Sequence, residues 1–473
     1  VVIALALGCR PEPPSPVGHS AAILEPAHSG TDPDAPFLDC ELQPDHALRG
    51  RCTVTWAAAD GVTLTFRAPG EDARVFRDDA SAPVHEVAFW GLVPDTTWTV
   101  TAVAPNTGET REVALRSGRL PSEFDRLWVD VVDGGDSHLS SVVLTPSCPA
   151  LHVVAVDRRG RVVHYENTQP DVFLGDTSAF SLTDRDTFLV TMGKSRIREY
   201  GFDGSLVREL VRGRDFEPVV HHDVIGRGGW TFSLAARTVR AAGRDWVVDS
   251  VLAFDPGGVM AAELDVAGLF PYEETYWMRE GYWAGQFPGA VDLTHANAVS
   301  RDAAGDLWVS FRHQFAFARF SGEPTEPSFG ALEQLVVGDD ESPAVGLATA
   351  DVTGGPLAPF TGQHDVHRGE GDSLLLFDNG YERGRVAEAS RYRWDEATAT
   401  LTWQEGWPVG RSCPTMGAAR ELPGGHVLAT CASQGLLREF APGRVEPVWE
   451  AELRCSGQPS IFAEGVPLRL PTE

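Results

Sequence analysis

His222-Asp223-Val224 and His364-Asp365-Val366 repeat one short pattern, each a few residues before an apolar run, Trp230 to Leu234 and Leu374 to Phe377. His295-Ala296-Asn297-Ala298-Val299 stands the same way before Leu307 to Phe311. The intervals are 73 residues from His222 to His295 and 69 from His295 to His364. Imidazole near neutral pH can act as a nucleophile, a proton carrier or a metal ligand, so three of them in one place are a candidate functional site. Arg312, directly after its own run, adds a permanent planar cation fit for an oxyanion. One such histidine is ordinarily a structural turn residue, whereas three at matched places in a repeat are not a general need of any fold. His221 is the weaker neighbour of His222, because the internal alignment pairs His222 with His364. His313, His367 and His426 lie close in sequence, but strand alternation or turn placement points them elsewhere.

The elements that must hold these residues are strands. Aromatic strands followed by Asp-Gly or Pro-Gly turns recur at Leu151 to Tyr165, Arg198 to Val207, Ala253 to Val259 and Arg438 to Val445. Hairpins repeating over roughly 350 residues without helical periods predict a β-propeller of about 45 to 55 residues per blade, with six blades fitting best and seven as the variant. A large double-sheet sandwich is the competing architecture. In a propeller, matched positions project to one face of the central channel, so the three imidazoles converge there. Ahead of it, alternating runs at Cys52 to Trp56, Val62 to Phe66 and Trp98 to Ala102 predict a small β-sandwich. Its Leu92 to Val100 segment resembles the late-strand signature of fibronectin type III domains, with Trp98 where Tyr is usual and Trp56 as the early core tryptophan. The expected division is 1–36 as leader remnant and tether, 37–121 as sandwich and 122–473 as propeller.

Composition agrees with an all-β chain of 473 residues: 48 Gly and 33 Pro punctuate, and there are 13 Trp but only 4 Met. The net charge of −28 argues against nucleic acid or an anionic membrane as the main partner, and 42% hydrophobic residues exclude global disorder. Val1 to Leu7 is too short to span a bilayer and leads into Ala6-Leu7-Gly8-Cys9, which resembles a bacterial lipoprotein processing site with Cys9 lipidated. The Pro-, Ser-, Ala- and Gly-rich stretch to about Pro36 then reads as a flexible tether. Six further cysteines suit disulfides in an oxidising compartment. Cys40 with Cys52, Cys413 with Cys431 and Cys148 with Cys455 is one of fifteen possible pairings.

His221-His222-Asp223, His295-Ala296-Asn297-Ala298-Val299, Ser310-Phe311-Arg312-His313-Gln314 and Gly362-Gln363-His364 together resemble the bacterial arylsulfate sulfotransferases, in that family's order and approximate spacing, over most of Ser122 to Leu470. The resemblance implies a six-bladed propeller behind a small β-domain, export, and sulfuryl transfer between phenols with no nucleotide donor and no cofactor. It also implies ping-pong chemistry, with His364 holding the sulfuryl group as a sulfohistidine. Arg312 and an amide donor from Asn297 would meet the sulfuryl oxygens, His222 and His295 would exchange protons or donate hydrogen bonds, and His221 and Thr415 would touch substrate. Aryl sulfates and phenols are then the partners, with a homodimer known among relatives. Tyr276, Trp277, Tyr282, Trp283 and Phe287 form the expected aromatic rim. Two rival readings stand beside this one. A metal oxygenase would use the histidines as ligands, although Arg312 would repel the cation, and a lipid-anchored binding propeller would keep the pocket without turnover.

Overall fold

The computed structural model describes residues 37–169, 177–279, 281–355, 360–369, 371–462 and 464–472. The leader, Cys9 and the tether lie outside the described residues. The two runs expected as separate strands at Cys52 and Val62 are parts of one long strand, Gly50–Arg67. Its first half pairs with Leu38–Leu42, its second half with Thr97–Val103, and Arg74–Phe89 follows it along the other edge. Thr110–Arg116 completes five strands in one hydrogen-bonded sheet. Register shifts around Asp60 bend the long pair, so the sheet folds over itself where a fibronectin type III domain would have two separate sheets. Trp56 and Trp98 both lie in the resulting core, as expected.

The remaining strands form six four-stranded antiparallel arrays in succession, some with an added edge strand. The first spans Thr177–Leu182 to Leu206–Val211, the second Val219–Arg227 to Met260–Asp265, and the third Ala296–Arg301 to Leu332–Val337. The fourth spans His364–Arg368 to Thr400–Pro408, and the fifth Ala418–Glu421 to Trp449–Cys455. The sixth joins the C-terminal strand Val466–Leu468 to Ser141–Leu144, His152–Asp157 and Val162–Asn167, so the two ends of this region share one sheet. Hairpin loops reuse one device. The N–H of Gly160, Gly258 and Gly305 donates to the carbonyl three residues earlier, at Asp157, Asp255 and Asp302. The same aspartates accept loop N–H groups through their carboxylates. Gly258 has φ 84°, a region costly for other residues, which is why the turn sequence ends in glycine.

The N-terminal sheet is packed onto the first and sixth arrays. One apolar core runs from Val54, Phe66 and Trp98 into Val143, Val153, Phe180 and Phe188. Trp90 stacks on Phe202 with ring centroids 4.3 Å apart, and a buried Arg49–Glu166 ion pair crosses the same seam. Among the described residues no helix is long and apolar enough to cross a membrane. The disulfides are Cys40–Cys52, Cys148–Cys455 and Cys413–Cys431. Cys148–Cys455 links residues 307 positions apart, against 18 for Cys413–Cys431. Closing the longer loop removes more freedom from the unfolded chain. Replacing Cys148 and Cys455 by Ala is therefore expected to cost about 2–5 kcal/mol, read as a lower urea midpoint, and more than the same change at Cys413 and Cys431.

Candidate active site

A cavity of about 710 Å³ opens where the first strands of the sheets meet, and His222, His295, Asn297, Arg312, His364 and Thr415 all line it. His221 does not. Its ring is fully buried behind His222, with the two Nδ1 atoms 2.7 Å apart. The imidazoles converge, yet not from one register position. His364 lies opposite Phe377, whereas Ala296, and not His295, lies opposite Phe311. Bulges in each first strand, between Val220 and Val224, Ala296 and Ala298, and His364 and His367, re-aim the side chains and bring them together. The position that truly repeats is the next one. Asp223 accepts the N–H of Val299 at 2.7 Å, Asn297 donates to the carbonyl of Gln363 at 2.7 Å, and Asp365 accepts the N–H of Ala419 at 2.9 Å. Each therefore ties its sheet to the following one.

Every site imidazole has Nδ1 engaged by a protein group behind it. Asn379 donates both amide N–H groups, to the carbonyls of Cys413 at 2.7 Å and Met416 at 2.8 Å, so its Oδ1 faces His364. That oxygen lies 2.7 Å from His364 Nδ1 and accepts its proton, which leaves the lone pair on Nε2. His295 Nδ1 donates to Asp292 Oδ2 at 2.5 Å, a carboxylate–imidazole pair that favours a proton shared by the two and stabilises an imidazolium. Behind His222, one proton is shared between the two Nδ1 atoms, and Asp249 Oδ1 lies 3.1 Å from His221 Nε2. The His222 and His295 rings meet edge to face at 4.8 Å. Burial first, and then the charges of His295, His221, His364 and Lys194, hold His222 well below the usual histidine range.

Arg312 opens a short 3-10 turn, Arg312–Gln314, directly after Leu307–Phe311. Its buried guanidinium pairs with Glu382 at 3.0 Å and donates to the carbonyl of Pro414 at 3.3 Å. Gly362 explains its place in the motif: a Cβ there would stand 2.5 Å from Glu382 Oε2, and φ is +59°. Gln363 donates to the carbonyl of Ala316 at 2.7 Å and to Ser310 Oγ at 3.1 Å, which pins the fourth sheet against the third. His364 is thereby aimed into the cavity. Asn297 lines the cavity with one amide N–H given to the carbonyl of Gln363, and a flipped amide would set two carbonyl oxygens against each other. Its amide carries a second N–H, and its buried Oδ1 has no protein partner among the described residues.

Asp223, Asp365 and Glu464 also reach the cavity wall, and Arg420 bridges Asp365 at 2.9 Å and Glu464 at 2.7 Å. Burial pushes the Asp365 carboxyl up to about 8 and raises Asp223 well above its usual value, with Glu464 adding to both. The Arg420 guanidinium opposes that shift at both aspartates. Of the predicted aromatic rim, Tyr282 alone lines the cavity. Trp277 and Trp283 are buried in apolar clusters, Phe287 packs on Trp283, and Tyr276 is exposed. His313 lies buried against His295, and its Nδ1 donates to the Asp292 carbonyl at 2.9 Å.

Asn379, Asp292 and Asp249 were not foreseen. Asn379 stands in Asp378-Asn379-Gly380, which reads as an ordinary turn, and the aspartates carry no spacing signal. Histidine-labelled 15N NMR checks the electrostatics. A usual histidine gains its proton near pH 6.5, whereas His222 is expected to stay neutral from pH 8 to well below that. Titration at an ordinary value would show that its surroundings do not disfavour the imidazolium.

The sequence model of the family described as Arylsulfotransferase (ASST) matches residues 147–452, well over half of the chain. No curated protein matches it. Among solved structures, a virginiamycin B lyase from Staphylococcus aureus is similar at 10% identity and TM-score 0.34, over 86% of this chain and 99% of the lyase. A Bacteroides caccae protein of unknown function is similar at 9% identity and TM-score 0.39, over 70% of this chain and 99% of that protein. Likenesses of that size add nothing to the account of the site. The matched residues run from just after the sixth sheet's first hairpin strand to the last long strand of the fifth and carry every imidazole of the cavity, and the chain belongs to the arylsulfotransferase family.

Proposed function

We propose that the protein transfers a sulfuryl group from an aryl sulfate to a phenol through a sulfohistidine at His364. The observation that carries this reading is the Asn379 contact, which holds the Nδ1 proton of His364 and leaves Nε2 as a neutral nucleophile on the cavity side. In the first half-reaction Nε2 attacks sulfur, the sulfur–oxygen bond to the aryl group breaks, and the electron pair leaves with the phenol oxygen. His295, with Asp292 behind it, supplies the proton to that oxygen and takes one back from the acceptor phenol when the second oxygen displaces His364 from sulfur. Arg312 meets the sulfuryl oxygens, held ready by Glu382 and the Pro414 carbonyl. His222, kept neutral, and Asn297 Oδ1 accept hydrogen bonds from the phenol or the His295 imidazolium. His221 acts behind His222 as its support, and Thr415 remains a wall contact for the sulfate.

Six successive four-stranded sheets, the last closed by the C-terminal strand, support a six-bladed propeller for 122–473, with a small folded-over β-domain at 37–121. Three disulfides support an exported setting, and Cys9 is kept as the lipidation point. One observation bears on the metal reading: Asp292, His295 and His313 have donor atoms within 4.8 Å of one another. His295 already bonds the Asp292 carboxylate and His313 the Asp292 main-chain carbonyl, so the cluster suits proton holding.

Mixing the protein with p-nitrophenyl sulfate in the absence of acceptor tests the reading. A burst of nitrophenolate with one added sulfuryl group by intact mass is expected, absent in His364→Ala. Asn379→Ala should slow the burst by about a hundredfold, as when an aligned partner is lost from a catalytic imidazole. No burst and no adduct, with turnover absent even when phenol is supplied, would reject sulfuryl transfer from this donor class.

A further inference from the structure

Among the 39 basic residues of the chain there is one lysine, Lys194, and it lines the cavity. It sits on the turn between Thr187–Met192 and Arg196–Gly201, in the first sheet, which contributes no histidine to the site. The backbone there is left-handed at φ 58°, an uncommon conformation for a residue with a side chain, so the turn presents this residue at some conformational cost. Nζ lies 4.1 Å from the centre of the Tyr282 ring and 4.7 Å from that of Trp283. Tyr282 is itself a cavity wall residue, and its ring lies 4.7 Å from His222 and 5.3 Å from His295. The ammonium and two of the imidazoles therefore all lie within 5.3 Å of the centre of one aromatic ring. Gln286 adds an amide to the same wall.

Arg312 cannot fill this role. Its guanidinium is locked between Glu382 and the Pro414 carbonyl at the imidazole end, whereas an ammonium on a flexible four-carbon stem can follow substituents of different length. The acids of the wall are already engaged: Arg420 bridges Asp365 and Glu464, and Asp223 accepts the N–H groups of Val224 and Val299.

We infer that Lys194 and Tyr282 form a subsite for a second anionic group on the aromatic substrate, so that the preferred donors and acceptors are aryl sulfates and phenols carrying a carboxylate or sulfonate at the far end of the ring. This inference rests on the sulfuryl-transfer reading. With the sulfate at His364 and Arg312, the ring of the substrate lies along Tyr282, and a substituent opposite the sulfate reaches Nζ. A charge-assisted contact forms there that an unsubstituted phenyl sulfate lacks.

The test compares kcat/KM for 4-carboxyphenyl sulfate with that for phenyl sulfate, in the full-length protein and in Lys194→Gln and Lys194→Arg. The ratio is expected to fall about tenfold or more in Lys194→Gln, as for loss of one charge-assisted contact, and to be largely kept in Lys194→Arg. An unchanged ratio in Lys194→Gln would overturn the subsite. A second readout needs no turnover. Lys194 is the one lysine of the sequence, and peptide mass spectrometry after amine-selective acylation reads it directly. 4-Carboxyphenyl sulfate should protect Lys194 at concentrations where phenyl sulfate does not, and equal protection by both, or none by either, would overturn the inference. Selective protection without turnover would keep the subsite and reject sulfuryl transfer, whereas turnover with an unchanged ratio would do the reverse.

Discussion

The placement of one proton on each imidazole governs what this cavity can do. A histidine attacks or carries protons only through the nitrogen that is turned to the substrate, and which nitrogen that is depends on what the other one touches. At His364 the partner is Asn379, whose amide is itself oriented by two backbone carbonyls. At His295 it is the Asp292 carboxylate, and at His222 it is His221 with Asp249 behind it. Three different partners give three different electrical environments: a neutral amide behind His364, an anion behind His295, and a buried imidazole behind His222. The proposed division of roles among the histidines rests on that difference.

The same constraint reaches out into the fold. Asn379 follows the second strand of the fourth sheet, while the carbonyls that orient it come from the loop entering the fifth, the loop that also bears the Cys413–Cys431 bridge. Gly362 lets Glu382 approach Arg312, and Gln363 locks the neighbouring sheet at Ser310 and Ala316. Asp223, Asn297 and Asp365 tie successive inner strands together. Alignment of the cavity is in this way a property of the contacts between sheets. Against a net charge of −28, the acids nearest the site are paired, Asp365 and Glu464 with Arg420 and Glu382 with Arg312.

Much of the site is legible in the sequence because its principal groups announce themselves by residue type. His222, His295, His364 and Arg312 lie in short motifs in front of or behind recognisable strands, and the cavity brings all four together. What the sequence hides is of two kinds. Asn379, Asp292 and Asp249 are ordinary polar residues in turns and strands, and only three-dimensional proximity gives them a role. The bulges are equally silent: alignment by sequence makes His222, His295 and His364 equivalent, while the hydrogen-bond register makes Asp223, Asn297 and Asp365 equivalent instead. In the N-terminal part, Ala57-Ala58-Ala59-Asp60-Gly61 reads as a turn between two strands, yet the chain runs through it as one bent strand. Alternation reports which face a residue takes and not where a strand pair bends. Only Tyr282 of the expected aromatic rim serves the cavity, since bulky rings in an inserted segment also have an apolar interior to fill.

The most direct measurement is the site of attachment of the sulfuryl group in the trapped intermediate, read by 15N NMR of protein with labelled histidine after reaction with an aryl sulfate in the absence of acceptor. The account predicts a single modified ring, His364, substituted on Nε2 and still protonated on Nδ1 toward Asn379. Substitution on Nδ1, or on the ring of His222 or His295, would contradict it.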